Sequence, residues 1–145
     1  MYFVDRNQIE QTLQYMDDLL QEFHRYHYET TVEKLALERI VHMVIESMLD
    51  VGNMMIDGFI MRDPGSFYDI IDILVDEEVL PSEEADHYKQ VIDLRTPLVK
   101  EYTEVDHSHL IDIIKTNMPI LEMFSNHIRH YLTGESKVAT TFYKQ

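Results

Sequence analysis

The sequence predicts an all-α fold, an up-and-down bundle of four to five helices. Only four glycines and four prolines interrupt 145 residues. Apolar residues recur every three or four positions along most of the chain, the spacing of one helix face, and no stretch alternates as a strand would. A chain of this length makes one domain and buries roughly 68–70% of its extended surface on folding. The helical domain is expected over residues 1–134, with residues 135–145 as a C-terminal tail, poorly ordered or held by a partner.

The first helix is expected from about Asp5 to Tyr28. Ile9, Leu13, Met16, Leu20 and Phe23 form its apolar stripe, Asp5 is its cap, and Val4 stands before the cap as a staple. His24 and His27 would then fall in its last turn and complement the helix dipole. Thr30 and Glu33 have the spacing of a capping box and open the longest helix, which is expected to reach Met61. "RDPGS" stops that helix, and a short third helix runs from Ser66 to about Glu77. Pro81 and Ser82 start a fourth, on which Ala85, Tyr88, Ile92, Arg95, Val99 and Tyr102 share a face. Ser108 is the expected cap of the last helix. Its Leu110, Ile113, Ile114, Leu121, Phe124, Ile128 and Leu132 face inward, and Gly134 ends it.

The second helix carries a polar stripe on an otherwise apolar cylinder. Arg39, His42, Glu46, Asp50, Asn53 and Asp57 follow one another in steps of three or four, and apolar residues fill almost every other position. Such a stripe is either the solvated side of the helix or a set of polar groups lining a cleft or a subunit boundary. The surrounding apolar surface looks larger than one short bundle can cover, which predicts a homodimer. Nine methionines point the same way, to core, interface or a plastic groove for partner helices.

Composition narrows the chemistry. There is no cysteine, which removes disulfides, thiolate metal sites and a thiol nucleophile. The N-terminus is charged by its fifth residue, and no window reaches the ~18 apolar residues of a membrane span, so a cytoplasmic protein with no membrane partner is expected. A formal charge of -15 repels polyanions at long range, so DNA is not an expected partner and any RNA contact must be local. A carboxylate-bridged di-metal bundle needs two Glu-x-x-His pairs, and only Glu84 with His87 fits. "DHSH" at 106–109 reads as the start of a helix instead of a ligand set. Neither a metal nor any other cofactor is expected. No nucleophile elbow is present for serine hydrolase chemistry.

The stretch "DLRTPLVKEY" at 93–102 gathers Arg95, Lys100 and Tyr102 around Pro97. It resembles the Arg-x4-His-x-Tyr motif of the HepT-like toxins, HEPN-domain partners of minimal nucleotidyltransferase antitoxins. "LALERIVHMVIESMLDVGNMMIDGF" is similar to the second helix of that family, and helix order, length and motif position agree along nearly the whole chain. The resemblance implies a HEPN-like bundle that dimerises so that both motifs line a shared cleft, where RNA is cut without metal. It also implies that a nucleotidyltransferase partner transfers AMP to Tyr102, and that Arg95 contacts phosphate. Position 100 departs from the family: Lys stands where the motif has His.

That departure weakens the chemistry. Metal-free RNA cleavage needs a base for the 2′-hydroxyl proton and an acid for the leaving oxygen, and imidazole, with a pKa of ~6.5, serves both near neutrality. An ordinary lysine at ~10.4 is almost wholly protonated there, and Glu101, Glu104 and Asp106 favour its charge further. Weak or absent cleavage is therefore expected, with Arg95, Lys100 and Tyr102 as the catalytic set. Pro97 is expected to bend the fourth helix so that all three approach one cleft. A second reading is structural: Arg95 pairs with an acid of the helix-two stripe, Tyr102 packs at an interface, and Lys100 faces solvent. In function that reading corresponds to a noncatalytic HEPN homodimer, an interaction or nucleotide-binding module.

Overall fold

The computed structural model describes residues 4–143, and the side chains of residues 4–135. Six α-helices follow in order: α1 (Arg6–Phe23), α2 (Thr31–Gly58), α3 (Phe67–Asp76), α4 (Ala85–Ile92), α5 (Arg95–Lys100) and α6 (His107–Tyr143). Short 3-10 turns at Ser82–Glu84 and Tyr102–Glu104 precede α4 and follow α5. No strand occurs among the described residues. None of these helices is long and apolar enough to cross a membrane.

The first helix begins as expected and ends early. The Asp5 carboxylate accepts from the Gln8 amide at 2.9 Å, and Ile9, Leu13, Met16, Leu20 and Phe23 are all buried. The helix stops at Phe23 instead of Tyr28, because Tyr28 turns to φ 59 and its hydroxyl donates 2.7 Å to the Phe23 carbonyl. That bond occupies a carbonyl at the helix end that would otherwise need water. His24 is thus the cap residue and His27 lies in the connection, so neither belongs to a last helical turn.

The capping box of α2 is present. Thr30 accepts from the Glu33 amide while the Glu33 carboxylate accepts from the Thr30 amide. The helix ends at Gly58, three residues short of the expected Met61, in a Schellman arrangement: Met61 donates to the Ile56 carbonyl and Ile60 to Asp57, with Ile60 at φ 56. Ile40, Val41, Val44, Ile45, Met48, Leu49, Val51, Met55 and Ile56 are buried inside this one chain by α1, α3, α5 and α6. The buried residues of α2 from Ile40 to Ile56 therefore give no reason for a dimer.

Gly52 sets the approach of α3 to α2. A Cβ there would stand 2.4 Å from Ile70 Cγ2, on a β-branched side chain with little freedom to turn. We expect Gly52→Ala to lose about 1–2 kcal/mol, the overpacking cost of about 1–3 exceeding the helix-propensity gain of about 1. Thermal denaturation should show a Tm lower by several degrees; an unchanged or higher Tm would mean that the two helices separate freely.

The expected fourth helix is broken. It opens with a 3-10 turn, stops at Ile92, restarts at Arg95 and stops again at Lys100. Pro97 accounts for the first break, since its ring collides with the carbonyl four residues back, that of Asp93, and offers it no N–H. The Tyr68 hydroxyl donates to the Asp93 carboxylate and holds the break against α3. In α6, Asp106 and not Ser108 is the cap, accepting 3.1 Å from the His109 amide. The inward residues are as expected, Ile113 only half-buried. Gly134 does not end the helix, because one interior glycine costs only about 1 kcal/mol and α6 passes through it to Tyr143.

Candidate functional site

Arg95 is the first residue of α5, facing the middle of α2. Its Nε donates to Glu46 Oε1 at 2.7 Å, and its guanidinium carbon lies 4.7 Å from the centre of the Phe67 ring. His42 Nε2 stands 3.5 Å from the same Glu46 oxygen. Glu46 is thus shared between an imidazole and a guanidinium, all three side chains being about 30% exposed. Among the described residues only Nε of Arg95 is engaged, which leaves both Nη groups to a planar anion. This part of the structural reading holds: Arg95 pairs with an acid of the helix-two stripe.

Pro97 acts upstream of the motif and not within it. The break it causes lies at Asp93 and Leu94, so Arg95 and Lys100 sit on the same short helix, five residues and about 140° apart. The second break, at Glu101 with φ -118 and ψ 39, is what re-aims Tyr102. Lys100 is exposed, Tyr102 is 68% exposed, and neither makes a hydrogen bond or ion pair with another described residue. A hollow of about 740 Å³ between residues 75–82 and 127–135 contains none of the candidate residues.

The stripe of α2 divides. His42 and Glu46 join Arg95, and Asp50 lies one turn on, where burial and then the Glu46 charge hold its carboxyl above the usual carboxylate range. Arg39, Asn53 and Asp57 are exposed, and Asn53 and Asp57 stand roughly 10 and 16 Å farther along the helix than Glu46. The residue missed in the stripe is Glu38. It stands four before His42 and eight before Glu46, and it accepts from His107 at 2.8 Å, which ties the start of α6 to the same edge of α2. The spacing 38, 42, 46 is visible in the sequence but competes there with Arg39. Phe67 carried no signal, since its place over Arg95 depends on the α2–α3 turn. Glu84 and His87 take separate partners, Glu84 bonding Tyr88 and His127, and His87 bonding Asn117.

Comparisons with known proteins agree on one family. The family model Ribonuclease HepT-like matches residues 7–128. A relative from Bacillus subtilis (strain 168), named "Putative RNase YutE", is 46% identical over 143 residues, 98% of this chain and 99% of its own length. The solved structure of YutE from Bacillus subtilis, described as a cytosolic protein of unknown function, superposes with a TM-score of 0.91 at 47% identity, covering 93% of this chain and 95% of that one. More distant in sequence, at 16% identity, is a tri-AMPylated Shewanella oneidensis HEPN toxin in complex with an MNT antitoxin, with a TM-score of 0.70 over 86% of this chain and 95% of that chain. At that identity the likeness speaks to the fold, which is HEPN-like.

Proposed function

The chain belongs to the Ribonuclease HepT-like family, and from that premise we propose that it is the toxin-type component of a nucleotidyltransferase/HEPN pair, a cytoplasmic endoribonuclease that needs no metal ion. The observation that carries this reading is Arg95. Its Nε is fixed by Glu46 and its two Nη groups are uncommitted at a half-exposed position, the arrangement that receives a phosphodiester. Lys100, exposed and about 140° around α5 from Arg95, adds a second cation to the motif helix. The alternative, a noncatalytic HEPN module, draws on the Arg95–Glu46 pair as a purely structural contact.

Incubation with total RNA in excess chelator separates the two readings. The protein as it stands should cut slowly, and Arg95→Ala should stop the cutting by removing the phosphate contact. RNA left whole by a folded wild-type protein favours the module.

A second copy completes the site in this reading. Lys100 and Tyr102 are exposed in a single chain, and RNA cleavage needs groups on more than one side of the scissile phosphate. Exposed apolar residues occur on the elements that carry the motif and its partners: Val32 and Leu35 at the start of α2, Phe67 on α3, and Val99 beside Lys100. A homodimer closing over these residues is expected, and light scattering should give about twice 17.3 kDa at micromolar concentration. A mass near 17.3 kDa would contradict the shared cleft.

A further inference from the structure

The substitution of Lys at position 100 leaves the motif without a base, and His42 stands beside Arg95. Among the described residues His42 is the imidazole joined through a single carboxylate oxygen to Arg95, by contacts of 3.5 and 2.7 Å to Glu46 Oε1. The other part-buried imidazoles are engaged elsewhere at shorter range. His107 holds Glu38 at 2.8 Å, His87 holds Asn117 at 2.7 Å, and His127 holds Glu84 at 3.0 Å. The His42 contact is longer, its side chain is 30% exposed, and Nδ1 has no partner among the described residues. Charged groups around the ring are Glu38, Arg39 and Glu46 on α2 itself and Arg95 on α5.

We propose that His42 is the general base of RNA cleavage in this protein, oriented by Glu46 and aligned with the phosphate that Arg95 holds. The inference rests on the reading of Arg95 as the phosphate contact. The unprotonated imidazole takes the proton of a ribose 2′-hydroxyl. The 2′-oxygen then forms a bond to phosphorus, the bond from phosphorus to the 5′-oxygen breaks, and that oxygen keeps the electron pair. It receives a proton from solvent water. The products are a 2′,3′-cyclic phosphate and a 5′-hydroxyl, and the His42 imidazolium returns its proton to the hydroxide left behind, which restores the starting state. Glu46 touches no substrate; it is a positioning residue whose one oxygen accepts from the guanidinium at 2.7 Å and stands 3.5 Å from the imidazole.

The test is steady-state cleavage of a short RNA in chelator by the full-length protein, with His42→Gln, Arg95→Ala and the double variant His42→Gln/Lys100→His. His42→Gln should lower kcat about 10²-fold with KM nearly unchanged, and should flatten the ascending limb of the kcat pH profile. His42 is half-exposed, so the variant keeps its fold, which an unchanged Tm verifies. Lys100→His should raise cleavage more in the His42→Gln background, where the base is missing, than in wild type, whereas with a merely structural His42 the gain is the same in both. A wild-type kcat and pH limb in His42→Gln overturns the proposal, as does a wild-type protein that never cuts while Lys100→His alone does. Arg95→Ala cutting at the full rate is a different failure, of the site itself.

Discussion

Lys100→His is expected to raise the rate of RNA cleavage about tenfold or more over wild type. The side chain is exposed and has no partner among the described residues, so the exchange should leave the bundle intact and act on proton transfer. Imidazolium gives up a proton near neutrality far more readily than an ordinary ammonium, and imidazole also accepts one, so either proton of the reaction moves more easily. Arg95 and Glu46 keep their contact in the variant, and the gain should appear in kcat with KM close to the wild-type value. A folded variant that gains nothing would place the active site elsewhere on the molecule.

Tyr102→Phe is expected to abolish transfer of AMP from a cognate nucleotidyltransferase. Of the nine tyrosines, Tyr102 is the one two residues beyond Lys100, and at 68% exposed it presents its hydroxyl to a partner enzyme. Tyr28 and Tyr88 are buried, with hydroxyls bound to Phe23 and to Glu84. In the transfer, the phenol oxygen bonds to the α-phosphorus of ATP, pyrophosphate leaves, and a base of the partner takes the phenol proton. The added phosphodiester would put a negative charge and a nucleoside two residues from Lys100, which would repel and block an incoming RNA phosphate. Intact mass and peptide mapping after incubation with partner, ATP and Mg²⁺ should place one AMP on Tyr102. Modification persisting in Tyr102→Phe, or none in wild type with an active partner, would contradict the assignment.

Most of the helical layout was legible because its signals are local. The Thr30–Glu33 box, the Asp5 cap and the inward residues of α1 and α6 follow from spacing alone, and the structure shows each of them. The boundaries that went astray depend on tertiary contacts. Tyr28 ends α1 by reaching back to Phe23, and Ile60 takes a left-handed conformation where a glycine would have announced the turn. Pro97 announced a bend, but its effect is felt four residues earlier, which puts the break before Arg95 and leaves a second break, at Glu101, to re-aim Tyr102. In the candidate site, the stripe of α2 was visible as a stripe. Which of its members meet Arg95 was not, because that depends on how α5 lies along α2; His42 and Glu46 do, while Asn53 and Asp57 stay in solvent.

The central claim is that RNA is cut by its own 2′-hydroxyl at the site built around Arg95. The most direct measurement is product-end mapping on a short RNA in excess chelator, beside a copy carrying a single 2′-deoxy sugar at the cut position. The account predicts 2′,3′-cyclic phosphate and 5′-hydroxyl ends from the all-ribose strand, no cut at the deoxy position, and neither product with Arg95→Ala. Cleavage that continues at the deoxy position, or with Arg95→Ala at the wild-type rate, would contradict it.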